Sequence, residues 1–236
     1  MMLDRNTIAT NLNLNFDEGV SILMTKPIDM TSFRLVSSIR NISKTKKVGH
    51  AGTLDPKATG LMILCTGKST KSISTFVEQT KEYEGSFEIG ARTSSYDVET
   101  EIIEKKDFSI ITENDINEIA KTFIGRTEQI PPMYSAIKIK GKPLYKLARK
   151  GVEVERMPRE IFIYSFEILK CELPIVHFRL VCSKGTYVRS LVNDIGVKLN
   201  VGAYLKSLSR TKIGNYNLND ALTLDDIRQY FNVNKS

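Results

Sequence analysis

No apolar run in the 236 residues approaches the roughly 18 that a membrane-spanning helix needs. The N-terminus carries Asp4, Arg5 and several asparagines where a signal peptide would have an apolar core. Cysteines are few and odd in number, Cys65, Cys171 and Cys182, and no C-x-x-C spacing occurs. Histidines are fewer still, His50 and His177. Those two shortages leave no plausible zinc site and no disulfide framework. Internal repeats and low-complexity tracts are also missing, and no shift in composition marks a domain boundary. The expectation is a cytoplasmic, metal-free chain of one main domain, residues 19–236, preceded by a polar N-terminal arm, residues 1–18.

What is present fits a soluble globule. Hydrophobic residues make up 41% of the chain and charged residues 26%, enough for a real core. Basic residues outnumber acidic ones 34 to 27, a net charge of +7. That excess alone says little, since many basic proteins merely resist aggregation. Its clustering says more. Lys44, Lys46 and Lys47 form one group, and Lys138, Lys140, Lys142, Lys146, Arg149 and Lys150 form another. Two solvated faces would be the bland account; a path for a nucleic acid is the sharper one.

The chain is organised around Val48–Lys71, VGHAGTLDPKATGLMILCTGKSTK. Small residues crowd a loop that holds one carboxylate, Asp55, between Leu54 and Pro56. Proline after Asp55 biases its backbone toward the extended region and limits the carboxylate's orientations. Leu61–Cys65 reads as a buried strand, and Lys68–Thr80 has helical spacing. Upstream, Val20–Thr25 is a short strand, and Thr31 or Ser32 caps a helix facing inward through Leu35, Val36, Ile39 and Ile42. Downstream, Lys81–Thr93 alternates as a half-buried strand, with Tyr83, Gly85, Phe87 and Ile89 on one side. A capping-box-like start at Thr112 and Asp115 opens a helix over Thr112–Ile124. Tyr134–Lys140 reads as a strand, Gly141 as a turn, and Pro143 as the first position of a short helix ended by Gly151. Arg159–Leu173 and Pro174–Ser183 are two strands of a hairpin, with His177 structural. Gly185 starts a helix turning Val188, Leu191, Val192 and Ile195 inward, and Thr223 caps a last one over Leu224–Phe231.

Gly49–Gly60, GHAGTLDPKATG, resembles the catalytic motif of the TruB family of tRNA pseudouridine synthases, GH-x-G-x-LDP-x-A-x-G. Three more stretches resemble the family. KPIDMTS stands for KP-x-G-x-TS, with Asp29 where glycine is usual. KGTYVR matches KGTY-x-R through Arg189, and YLKSLSRTKIG is similar to L-x-x-LRRT-x-x-G, with Ser209 replacing one arginine. The family often reads RTDT where this chain has Arg92-Thr93-Ser94-Ser95, so any role of that aspartate is missing or falls to Asp97.

The resemblance implies an α+β pseudouridine synthase fold, a mixed, largely antiparallel central sheet flanked by helices with an RNA-binding cleft. It implies isomerisation of a uridine in the T-loop of tRNA, with Asp55 as the catalytic residue. Arg189 would pair with Asp55, and Tyr83, on pattern alone an ordinary core aromatic, would stack on the target uracil. Tyr187 would line the pocket, Leu208 would pack near the flipped base, and His50 would fill the vacated space. Lys26, Lys46, Lys47 and Lys138 join the substrate-binding set. The T-arm stem-loop is the expected partner of a monomer that uses no cofactor. Many relatives continue into an RNA-binding PUA domain, for which no residues remain.

Two rivals carry different chemistry. CTGKST, Cys65–Thr70, looks like a phosphate-binding loop, but Met62 stands where that loop needs its first glycine. A non-catalytic RNA-binding module would share the basic faces, yet mere binding does not need Asp55, Tyr83 and Arg189 together.

Overall fold

The computed structural model describes residues 1–10, 14–139 and 141–233. Its Cα framework divides into two compact units, one of residues 1–83 and 208 onward, the other of residues 84–207. The strands Lys81–Ile89 and Ala203–Ile213 each carry the chain across that division.

In the first unit the apolar run becomes the strand Thr59–Thr66, buried from Gly60 onward. Ser21–Lys26 lies antiparallel to it, from Ser21 opposite Cys65 to Lys26 opposite Gly60. Val48–His50 is antiparallel at its far end. Two ladders run the other way. Met2–Leu3 is parallel to Ser21–Ile22, and Ala203–Ile213 is parallel to Thr59–Thr66 where Ser209 and Arg210 face Thr59 and Gly60. The sheet is therefore mixed, which corrects the expectation of largely antiparallel strands. Hairpins enforce antiparallel pairing only between chain neighbours, and these partners are far apart in sequence. Leu23, Leu61, Ile63, Cys65 and Ile213 form the core here.

Helix Ser32–Ser43 packs through Leu35, Val36 and Ile39, and its cap is Thr31, whose hydroxyl accepts from Arg34 N–H. Gly67 of CTGKST takes φ +47 against the backbone of Phe16 and Asp17, where any Cβ would collide with the chain itself. The first residues are not featureless: Asn15 caps the turn Phe16–Gly19, and Tyr230 Oη accepts from Leu14 N–H.

The second unit holds the hairpin Arg159–Glu172 with Ile175–Cys182, and Gly125–Gln129 antiparallel to Arg159–Ile163. His177 is exposed, alternating with buried Val176 and Phe178. The alternating segment breaks at Gly90, φ +83, so that Ala91–Thr93 leaves to pair with Ile102–Lys105. Helix Glu113–Lys121 has the full capping box, Thr112 with Asp115. The proposed strand over residues 134–140 shrinks to Lys138–Ile139, paired with Lys142–Pro143; Lys140 lies outside the described residues. Pro143 caps the short helix Leu144–Ala148 instead of starting it. Gly185, φ +79, belongs to a turn, and the helix begins at Val188 with Tyr187 as its cap.

Candidate active site

Asp55 sits in the loop of residues 51–58, between strands Val48–His50 and Thr59–Thr66. Groups outside the loop hold its backbone. Ser32, buried at the start of its helix, accepts from Leu54 N–H and donates to Leu54 C=O, both at 2.9 Å. Ala58 N–H closes the turn on the Asp55 carbonyl at 3.1 Å, and the Pro56 carbonyl accepts from Asp29 N–H at 2.9 Å. Asp29 itself has φ +61, a left-handed conformation that glycine adopts without strain. Aspartate is among the few other residues that tolerate it, and the Asp29 carboxylate meets Lys57 Nζ at 2.7 Å.

Lys26, expected in the substrate-binding set, is fully buried. Its ammonium spends its three protons on the carbonyls of Met30, Pro27 and Pro56, at 2.7, 2.8 and 3.3 Å. It is a buttress under the Asp55 loop. Burial lowers its pKa to about 8, against the pull of Asp55 and Asp29 and with a push from Arg210.

This sets a pH dependence. Between about pH 8 and the ordinary lysine value of 10.5, the unfolded chain holds the proton and the folded chain does not. Stability contributed by this site should therefore rise through that window, by about 3 kcal/mol in all. Urea unfolding of wild type and Lys26→Met at pH 7.5 and pH 10 checks the sign. The variant, lacking the titrating group, should lose stability relative to wild type as pH rises.

Arg210 was not singled out by the sequence, although it lies in the YLKSLSRTKIG stretch. It is almost fully buried, with Nε donating to Leu61 C=O at 2.8 Å and Nη2 to Gly52 C=O at 3.2 Å. The guanidinium thus staples the start of the Asp55 loop to the strand that follows it. Gly60, φ +109, permits this approach, because a side chain there would strike the Arg210 backbone. Burial along this strand does not alternate around Arg210, so no local periodicity pointed to it. His50 is half-buried beside the loop, and burial together with the Arg210 charge pushes its pKa below the usual value, so it is neutral at pH 7. Tyr83 is buried, and Leu208 is half-buried with its carbonyl accepting from Thr59 Oγ1 at 3.3 Å.

In the second unit Arg189 is buried on the first turn of its helix. Nη2 donates to Tyr134 C=O at 2.8 Å and Nη1 to Ser95 C=O at 3.3 Å, while Nε stands 3.6 Å from the Asp97 carboxylate. Asp97, buried too, accepts from Ser95 Oγ at 2.6 Å and from Glu99 N–H at 2.9 Å. Tyr187 is clamped by the buried Gln129 amide, which donates to its carbonyl and accepts from its N–H, at 3.0 and 2.8 Å. Its ring centroid lies 5.8 Å from Arg189 Cζ. Gln129 carried no signal in the sequence.

Lys44, Lys46, Lys47 and Lys138 are exposed. Among the described residues no group of three or more His, Cys, Asp and Glu could hold a metal ion, and no helix is long and apolar enough to cross a membrane.

Residues 40–188 match the family model described as TruB family pseudouridylate synthase, N-terminal domain. The chain belongs to the TruB family. Residues 189–236 match a second model, the tRNA pseudouridylate synthase B C-terminal domain. A Clostridium tetani protein named tRNA pseudouridine synthase B is 50% identical over 204 residues, 86% of this chain and 71% of its own. Its namesake from Phocaeicola vulgatus is 46% identical over 224 residues, 92% of this chain and 95% of its own. Among solved structures, a Cbf5–Nop10–Gar1 complex matches with TM-score 0.74 at 28% identity, over 99% of this chain and 60% of that one. An H/ACA RNP bound to a substrate RNA containing 2′-deoxyuridine gives 0.69 at 27%, over 93% of this chain and 55% of that one. This TruB-family chain therefore spans little more than half the length of those two. Membership makes it a pseudouridine synthase with that family's mixed-sheet fold.

Proposed function

We propose that the chain isomerises a uridine in the T-loop of tRNA to pseudouridine, with Asp55 as the catalytic carboxylate. The observation that carries this reading is the GHAGTLDPKATG loop, its backbone tied by Ser32, Lys26 and Arg210 around one carboxylate. The relatives named for tRNA support the substrate class.

The reaction breaks the C1′–N1 bond, turns the uracil, and joins C5 to C1′; C5 loses its hydrogen and N1 gains one. No oxidant or group donor enters, because the product contains the substrate's own atoms. Bond breaking develops positive charge on the sugar, which an adjacent carboxylate stabilises or traps covalently. Asp55 does this ionised, on a loop buttressed by the Lys26 ammonium. The resemblance assigns Arg189 to orient Asp55, and Asp97 in turn fixes the guanidinium. The target nucleotide leaves the stack to reach the site. Tyr83 and Leu208 hold the extruded base, Tyr187 lines the pocket, and neutral His50 occupies the space left behind. Lys46, Lys47 and Lys138 meet phosphates.

Tritium at C5 of uridine tests this directly, since that hydrogen must leave. Unmodified tRNA transcript should release it without additives, and a transcript with the T-loop uridine replaced by cytidine should not. No release above background, with folded protein and bound tRNA, would end the enzymatic reading; release from both transcripts would end the T-loop assignment.

A further inference from the structure

From Thr31 to Lys47 the chain carries five cations, Arg34, Arg40, Lys44, Lys46 and Lys47, and no carboxylate. Several cations elsewhere are matched: Lys57 by Asp29, Lys68 by Glu18, Arg149 by Glu99. Among the described residues none of these five takes part in an ion pair. At about 100° per residue, Phe33, Ser37 and Arg40 fall within about 60° of one another on helix Ser32–Ser43, far from Leu35 and Ile39; Arg34 lies about 60° beyond Ser37, and Lys44 caps the helix end. Phe33 is 68% exposed, in the first turn beside Ser32, which grips Leu54 next to Asp55. A large bare ring there serves no packing purpose.

We propose that this stripe is an RNA-docking rail: Phe33 stacks on an unpaired base near the target nucleotide, and Arg34, Arg40 and Lys44 follow the adjoining phosphates. An aromatic face beside acid-free cations is the chemistry that single-stranded nucleic acid fits. The inference rests on the RNA-modifying reading above and extends its contacts to a helix outside the Asp55 loop.

The test uses full-length protein with tRNA transcript, filter binding across a salt series, and tritium release at saturating RNA. Phe33→Ala should weaken binding roughly tenfold and leave the salt slope unchanged, because no charge is lost. Arg34→Gln should flatten the slope by about one unit, whereas Lys170→Gln, exposed on the hairpin of the second unit, should not. 2-Aminopurine at unpaired T-loop positions should be quenched at one of them by wild type and not by Phe33→Ala. Both stripe variants should release tritium at the wild-type rate once saturated. Wild-type affinity and slope in both would overturn the rail. So would loss of binding to vesicles of anionic lipid with RNA binding intact, which would name a membrane as the partner. If wild type binds tRNA but releases no tritium, the enzymatic reading falls while the affinities and slopes still judge the rail.

Discussion

Asp55→Asn should take turnover below detection while tRNA binding stays within a few-fold of wild type. The amide keeps the size of the carboxylate and removes its charge, so it neither shields nor traps a cationic sugar carbon. The loop should survive the change, because it is held through backbone groups: Leu54 by Ser32, Pro56 by Lys26 and Asp29, Gly52 by Arg210. Arg189→Lys should also be severely slow. A lysine keeps the charge but not the planar fork that serves Tyr134 C=O and Ser95 C=O at once beside Asp97. Single-turnover tritium release with each variant bound to tRNA measures both effects. Appreciable turnover by Asp55→Asn would show that the central residue has been misassigned.

Local signals were legible. Thr31, the Thr112–Asp115 box and the buried Thr59–Thr66 strand follow from caps and apolar runs that a few residues determine. Asp29 was visible as a departure at a glycine position, but only the backbone reveals that aspartate holds the same left-handed turn. What stayed hidden depends on distant partners. Arg210 meets Gly52 and Leu61 across 158 and 149 residues, and no periodicity encodes that. Lys26 looks like an exposed turn lysine until the Pro56 carbonyl closes over it. The parallel register of Ser209 and Arg210 on Thr59 and Gly60 is likewise a long-range choice, so the largely antiparallel expectation could not be corrected from sequence. Gln129 is the plainest case, a polar residue in a short strand that proves to fix Tyr187.

Arg210→Met should lower the unfolding free energy by about 3 kcal/mol, and Tm by roughly 10 °C. Methionine nearly fills the volume but leaves the Leu61 and Gly52 carbonyls without their donors, each worth about 1–3 kcal/mol when buried. Removing a buried charge returns some desolvation energy, which keeps the net below the sum. Stability alone would not tie Arg210 to the site, so its charge supplies a second readout. With the guanidinium gone, one influence that lowers the pKa of His50 disappears, and the imidazole should titrate at higher pH. Arg210→Lys separates the two effects. It keeps the positive charge, and with it a depressed His50, while one ammonium cannot span both carbonyls and stability still falls. Urea unfolding gives the first quantity and the NMR titration of His50 the second. A His50 pKa that rises equally in both variants would mean that burial, not the Arg210 charge, keeps this imidazole neutral.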